Sequence, residues 1–194
     1  MIEAFLTSTA VVALAEIGDK TMLLAIILAA RFRRPWQVLT GILAATIANH
    51  ALASLVGVEA AGLLDARWFR IAVALGFVAM AAWTLLHDRL DDEDASEALR
   101  SRGGAFLTTL VSFFLVEMGD KTQVATIALA AHYRSVLTVA SGTTLGMMIA
   151  DGPAVFFGDR LVRRVSLKAA RIVAAALFLA LGLWQLAGIG GLIG

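Results

Sequence analysis

The chain alternates long apolar runs with short polar breaks. Six apolar runs are each about 20 or more residues long, which is the length that an α-helix needs to cross about 30 Å of hydrocarbon. The expected spans are Ile2–Ala30, Trp36–Val58, Phe69–Leu86, Ala105–Ala131, Ser135–Phe157 and Ala170–Ile189. The pattern therefore predicts an all-α integral membrane protein with six transmembrane helices.

The first and fourth runs are longer than one crossing requires, and each contains a glycine near its middle, Gly18 or Gly119. A long span can be accommodated by a strong tilt of the helix. It can also break at the glycine, as helices in transporters often do at a binding site. The sequence leaves both readings open.

The overall composition agrees with a protein that lies in a lipid bilayer. Hydrophobic residues make up 60% of the 194 residues, whereas a soluble domain has about 45–50%, and the mean hydropathy is +0.85. The net charge of +1 gives no reason to expect a nucleic-acid partner, and the absence of cysteine excludes disulfides and thiolate metal sites. Nucleotide-binding glycine motifs are absent from the sequence. We therefore expect neither an enzyme nor a bound cofactor.

One six-residue string occurs twice, as Glu-Ile-Gly-Asp-Lys-Thr at residues 16–21 and as Glu-Met-Gly-Asp-Lys-Thr at residues 117–122. Each copy lies inside an apolar run, where charged groups are costly unless they have partners or a function. On a helix, the Glu, Asp and Lys of one string would share a face, since they are three and four positions apart. Two such faces could offer four carboxylates to one small cation.

The repeat extends over the whole chain at a constant offset of 101 positions. Gly41 corresponds to Gly142, and Trp83 corresponds to Trp184. The halves are residues 1–87 and 105–194, joined by an acidic segment at residues 88–104 that we interpret as a solvated linker. Because each half has three spans, an odd number, the second half enters the membrane from the opposite side. The sequence thus predicts two inverted three-helix repeats, an architecture in which ligands bind near the midplane.

The loops are unequally basic, which predicts the orientation in the membrane. Leaving aside the lysines of the two strings, the predicted cytoplasmic side carries eleven basic residues and the other side three. The eleven are Arg31, Arg33, Arg34, Arg89, Arg100, Arg102, Arg160, Arg163, Arg164, Lys168 and Arg171, and the three are Arg67, Arg70 and Arg134. Both termini are therefore expected outside and the acidic linker in the cytoplasm.

The two strings supply most of the candidate metal ligands. A single Glu–Lys pair could be a structural salt bridge between helices, but duplication of the whole string favours a cation site. The glycines would let backbone or a partner helix approach closely, and the lysines would compensate the acids when the site is empty. The candidate ligands are Glu16, Asp19, Thr21, Glu117, Asp120 and Thr122, and the charge-compensating residues are Lys20 and Lys121.

Three further polar residues complete the expected ligand set. Asp151 interrupts the fifth span, and an acid in a span is a functional candidate by default. Asn49 interrupts the second span, although amides also bridge helices structurally. Gln123 follows the second string where Met22 follows the first, so the two halves differ chemically. His50 occupies the position equivalent to Asp151 and is not included among the ligands.

The doubled string in two three-helix halves resembles the manganese/calcium cation–proton exchanger family, which includes bacterial manganese exporters of the MneA type and Golgi and chloroplast relatives. The resemblance implies secondary transport of Mn²⁺ or Ca²⁺ against protons, with the acids of the strings as the binding site. All-oxygen ligands favour Mn²⁺, Ca²⁺ or Mg²⁺ over Zn²⁺ and Cu⁺. The choice of Mn²⁺ first and Ca²⁺ second depends on the resemblance to bacterial exporters. The resemblance also implies that the protein lies in the inner membrane of a bacterium.

Two other functions remain open from the residues alone. In a divalent-cation channel, the same acids would form a selectivity ring. In an exporter of an organic cation such as a basic amino acid, aromatic side chains would be expected near the strings, and the neighbours there are mostly Ala, Leu, Ile and Thr. The sequence also leaves the oligomeric state open, a homo-oligomer included.

Overall fold

The computed structural model describes residues 1–63, 67–86, 103–158 and 167–189. Within these ranges every regular element is an α-helix, which confirms the predicted all-α class. The helices are α1 (Ile2–Glu16), α2 (Lys20–Phe32), α3 (Pro35–Leu63), α4 (Arg67–Leu85), α5 (Ala105–Glu117), α6 (Lys121–Tyr133), α7 (Val136–Phe157) and α8 (Leu167–Ile189). Most of the predicted linker, residues 88–102, and the arginines at 160, 163 and 164 lie outside the described residues.

The first and fourth predicted spans are each broken near the middle. Each is divided by a three-residue turn, Ile17–Asp19 between α1 and α2 and Met118–Asp120 between α5 and α6. The resulting half-helices have 13 to 15 residues, which corresponds to about 20–22 Å. None of these half-helices alone covers the hydrocarbon core.

Three of the described helices are long and apolar enough to cross a membrane: Pro35–Gly62, Arg67–Leu85 and Lys168–Ile189. A shorter apolar helix, Ala105–Glu117, is one of the half-helices. α7 has 22 residues, enough for about 33 Å, but it contains Asp151 and Pro153. α4 and α8 pack against each other and expose large apolar side chains such as Leu75 and Trp184, as helices that face lipid should.

The two halves pack through matching contacts. α1 packs against α7, and its counterpart α5 packs against α3. A methyl group added at Gly142 would lie 2.7 Å from the carbonyl oxygen of Phe5, and one added at Gly41 would lie 2.8 Å from that of Phe106. These close approaches need glycine at both positions. The repeat seen in the sequence is therefore also a repeat of backbone contacts.

Candidate cation site

The centre of each string forms a tight turn. The N–H of Asp19 donates to the carbonyl oxygen of Glu16 at 3.0 Å, and the N–H of Asp120 donates to that of Glu117 at 3.2 Å. Ile17 has φ −63° and ψ 109°, and Met118 has φ −67° and ψ 119°. These dihedrals, followed by a positive φ, define a type II turn. The acids and lysine of one string therefore do not share a continuous helical face, because the helix ends inside the string, at the break that the sequence had left open.

The glycines of the strings are required by backbone conformation. Gly18 has φ +84° and Gly119 has φ +80°, values that a type II turn demands at its third position and that side chains with a Cβ rarely adopt. A Cβ added at Gly119 would meet no heavy atom within 4 Å. The close approach expected at the string glycines is thus not the reason for glycine at position 119.

The turn places the two acids of each string at helix ends. Glu16 and Glu117 end α1 and α5, whereas Asp19 and Asp120 are the N-caps of α2 and α6. A carboxylate at a helix N-terminus is stabilised by the unpaired N–H groups and the helix dipole. In the second string, the Asp120 side chain accepts a hydrogen bond from the N–H of Thr122.

Each threonine orients the glutamate of its own string. The Oγ1 of Thr21 donates to the Oε2 of Glu16 at 2.6 Å, and the Oγ1 of Thr122 donates to the Oε2 of Glu117 at 2.9 Å. Both glutamates are buried, and the Oε1 of each has no hydrogen-bond partner within the described part of the chain. Each of these two glutamates therefore presents one carboxylate oxygen that is buried and available to a ligand.

The two strings meet through reciprocal ion pairs. The Nζ of Lys121 lies 2.7 Å from the Oδ1 of Asp19, and the Nζ of Lys20 lies 3.2 Å from the Oδ1 of Asp120. Each lysine thus neutralises the aspartate of the other half. The pairs are unequally buried, since the side chain of Lys20 is 22% exposed and that of Lys121 only 2%.

Carboxylates from both strings lie close enough to share one cation. One oxygen each from Glu16, Asp19 and Asp120 can be chosen so that all three lie within 4.8 Å of one another. Ca²⁺ binds oxygen at about 2.3–2.6 Å, so two oxygens on one ion can be up to about 5 Å apart. Glu117 lies outside this group of three, although it interacts electrostatically with Asp120 and Asp19.

Asp151 adds a fifth carboxylate to this region. It lies on α7, is fully buried, and neither of its oxygens has a hydrogen-bond partner among the described residues. Its charge interacts with those of Glu16 and Asp19. His50, at the equivalent position on α3, is also fully buried, and neither ring nitrogen has a partner within the same ranges.

The predicted amide ligands form a hydrogen-bonded chain beside the second turn. The N–H of Gly119 donates to the Oε1 of Gln123 at 2.8 Å, and the Nε2 of Gln123 donates to the Oδ1 of Asn49 at 3.4 Å. The Nδ2 of Asn49 then donates to the carbonyl oxygen of Phe114 at 3.0 Å. The amides thus fix the second turn between α3 and α5. The sequence feature that indicated this hydrogen-bonded chain of amides was Gln123, which stands in the second half where Met22 stands in the first.

Comparison with known proteins identifies the family. The chain matches the family described as "Divalent cation/proton antiporter GDT1" over residues 4–92 and 105–189. The chain belongs to the GDT1 family. This confirms the resemblance to cation–proton exchangers that the doubled string indicated. Each matched segment contains one string, and GDT1 proteins are a transporter family rather than an enzyme family.

Individual relatives support this assignment. The chain is 44% identical to the "Putative manganese exporter" of Vibrio cholerae, over 91% of this chain and 86% of that protein. It is 32% identical to a GDT1-like protein of Synechocystis, over 92% and 94%, respectively. GDT1-like protein 4 of Oryza sativa subsp. indica is 28% identical over 94% of this chain and 73% of its own length. No solved structure matches this GDT1 chain.

The turn geometry predicts which substitutions at Gly119 destabilise the protein most. Gly119→Ala forces a Cβ into a positive φ at a cost of about 1–3 kcal/mol, whereas Gly119→Asn should cost less because asparagine tolerates this region. We expect the alanine variant to lose more thermal stability in detergent and more divalent-cation transport in proteoliposomes than the asparagine variant. Gly188→Ala is the control, because a methyl there meets nothing within 4 Å. Equal behaviour of all three variants would contradict a conformational role for Gly119.

Proposed function

We propose that this GDT1 protein exports a divalent cation, Mn²⁺ first and Ca²⁺ second, in exchange for protons. The observation that carries the proposal is the group of three carboxylate oxygens within 4.8 Å, to which both strings contribute. If all groups ionise, four string carboxylates and two lysines have a formal charge of −2. One divalent cation neutralises that charge, which a monovalent organic cation does not.

The proposed roles follow the geometry of the side chains. Glu16, Asp19 and Asp120 form the core of the ion site. Glu117 and Asp151 take part as the ion moves, since both are within electrostatic range of these acids. Thr21 and Thr122 orient the glutamates through their hydrogen bonds. Asn49 and Gln123, first considered as ligands, are assigned the task of positioning the second turn, because their side-chain oxygens accept hydrogen bonds there.

The preference for Mn²⁺ is supported by the ligands and by one relative. The group contains only carboxylate oxygens, which suit Mn²⁺, Ca²⁺ and Mg²⁺ better than softer ions. The Vibrio cholerae relative is named for manganese export. Ca²⁺ remains the second choice, since it uses the same class of ligand.

Proton exchange follows from burial of the acids. The free Oε1 atoms of Glu16 and Glu117 and both oxygens of Asp151 are buried without hydrogen bonds among the described residues. An uncompensated charge in hydrocarbon is costly, so acids that lose the metal ion should take up protons instead. Metal binding then releases protons, as it does at other carboxylate sites.

The proposed architecture places this site near the midplane of a bacterial inner membrane. Each broken helix counts as one crossing, so residues 1–87 and 105–194 would each cross three times, with both termini outside and the linker in the cytoplasm. The reciprocal ion pairs and glycine contacts support the inverted repeat. The three carboxylates that form the core of the proposed site all come from one chain.

Removing one charge from the site should stop export. Glu16→Gln and Glu117→Gln keep the hydrogen bond from the threonine but remove the charge that a divalent cation needs. We expect Mn²⁺ efflux from proteoliposomes to fall more than about tenfold, equivalent to about 1.4 kcal/mol or more. Glu59→Gln, at an exposed position on α3, is the matched control and should transport normally. Near-normal transport by Glu16→Gln at equal protein level would exclude the shared site, and near-normal transport by Glu117→Gln would exclude a role for Glu117.

The exchange mechanism also predicts the pH dependence. The acids bind protons more as pH falls, and protons compete with the metal, so apparent Mn²⁺ affinity should weaken between neutral and mildly acidic pH. An imposed inward proton gradient at clamped voltage should drive Mn²⁺ outward. Both are measured by Mn²⁺ flux in proteoliposomes with and without the gradient. A flux that ignores the gradient, together with pH-independent binding, would support the channel alternative.

A further inference from the structure

Two equivalent interfaces of the repeat are in different states. Gly57 on α3 corresponds to Gly158 at the end of α7. A methyl group at Gly57 would overlap the carbonyl oxygen of Ile127 and lie 2.9 Å from the Cβ of Ala130 on α6. Among the described residues, which stop at Gly158 and resume at residue 167, a methyl group at Gly158 would meet only the Cγ2 of Ile26, at 3.9 Å. The α3–α6 interface is therefore closed, and its counterpart between α7 and α2 is not.

The open interface contains a cavity of about 460 Å³. Ile26, Ala29 and Ala30 of α2 line one wall of it, and residues 155–158 line another. These three α2 residues are the repeat equivalents of Ile127, Ala130 and Ala131, the residues that contact Gly57. The two interfaces also differ in solvent exposure, since Ala30 is exposed whereas its equivalent Ala131 is buried.

The cavity reaches toward the cation site. Val155, which lines it, is four residues beyond Asp151 on α7, or about 6 Å along the helix axis. Lys20 begins α2, the helix that lines the cavity, and is the more exposed lysine of the two ion pairs. Lys121 begins α6, whose interface is closed.

We propose that this cavity is the entry path of the ion, and that the α2–α7 and α3–α6 interfaces are gates that close alternately. In the other state, Gly158 packs against Ala29 and Ala30 as Gly57 now packs against Ala130 and Ala131. The inference rests on the proposed transport function and adds the path and its gates. Under the predicted orientation, the open gate lies on the cytoplasmic side, from which an exporter collects its ion.

The chain contains no cysteine, so single introduced thiols can report each gate. Ala30→Cys and Ala131→Cys occupy equivalent positions at the open and closed gates. We expect a water-soluble maleimide to label Ala30→Cys at least about tenfold faster in nanodiscs, where both faces are accessible, since thiol reactivity requires exposure. In a Gly57→Ala background, which obstructs the closed gate, Ala131→Cys should become faster and Ala30→Cys slower.

Gly62→Ala is the matched control on the same helix, because a methyl there meets nothing within 4 Å. It should leave both labelling rates unchanged. The proposal is overturned if Gly57→Ala changes the two rates in the same direction, or if it leaves them as Gly62→Ala does.

A disulfide provides a second test that does not require Gly57→Ala to fold. A disulfide needs a Cβ–Cβ distance of about 3.5–4.5 Å, and in the present state a Cβ added at Gly158 has no atom of Ala29 within 4 Å. Gly158→Cys with Ala29→Cys should therefore cross-link only when the gate closes, stop transport, and regain transport on reduction. The absence of a cross-link during transport, or a cross-link that leaves flux unchanged, would overturn the proposal.

The gate and the cargo can fail separately. Labelling depends on conformation and needs no transported ion. If the two reporters exchange their rates while no divalent cation is transported, the proposed function is wrong and the gates stand. If Mn²⁺ is transported but Gly57→Ala does not exchange the rates, the gates are wrong and the function stands.

Discussion

The structure depends on ion pairs that cross between the two halves. Buried carboxylates in a membrane protein need opposite charges nearby, and the lysine of each string neutralises the aspartate of the other. The charge requirement therefore holds the two strings face to face and brings Glu16, Asp19 and Asp120 into one group.

The helix breaks make this meeting possible. In a continuous helix, the acids of one string would lie along a single face and their backbone groups would be fully hydrogen-bonded. The type II turn instead directs Glu16 from the end of one half-helix and Asp19 from the start of the next. Unpaired N–H groups at the start of the second half-helix then stabilise a carboxylate. Broken helices at a binding site are a recurring feature of secondary transporters.

Much of this arrangement could be predicted from the sequence, and the exceptions have physical reasons. The apolar runs indicated helices, and the doubled string indicated charges that must meet. The breaks were left open, because glycine is compatible with both a tilted helix and a turn with positive φ. The sequence predicted that the lysines pair with acids. It did not predict that each lysine pairs with the aspartate of the opposite half, because that depends on tertiary packing. α3 continues to Leu63, beyond the expected Val58.

The difference between the α3–α6 and α2–α7 interfaces could not be predicted, since Gly57 and Gly158 are equivalent in the repeat. The central claim is that both halves form one shared cation site. Equilibrium binding of Mn²⁺ to the purified protein tests this claim most directly. The electron paramagnetic resonance signal of free Mn²⁺ measures how much of the ion is bound. The account predicts one ion per chain, lost in both Glu16→Gln and Asp120→Asn. Two ions per chain, or one ion that survives either substitution, would contradict it.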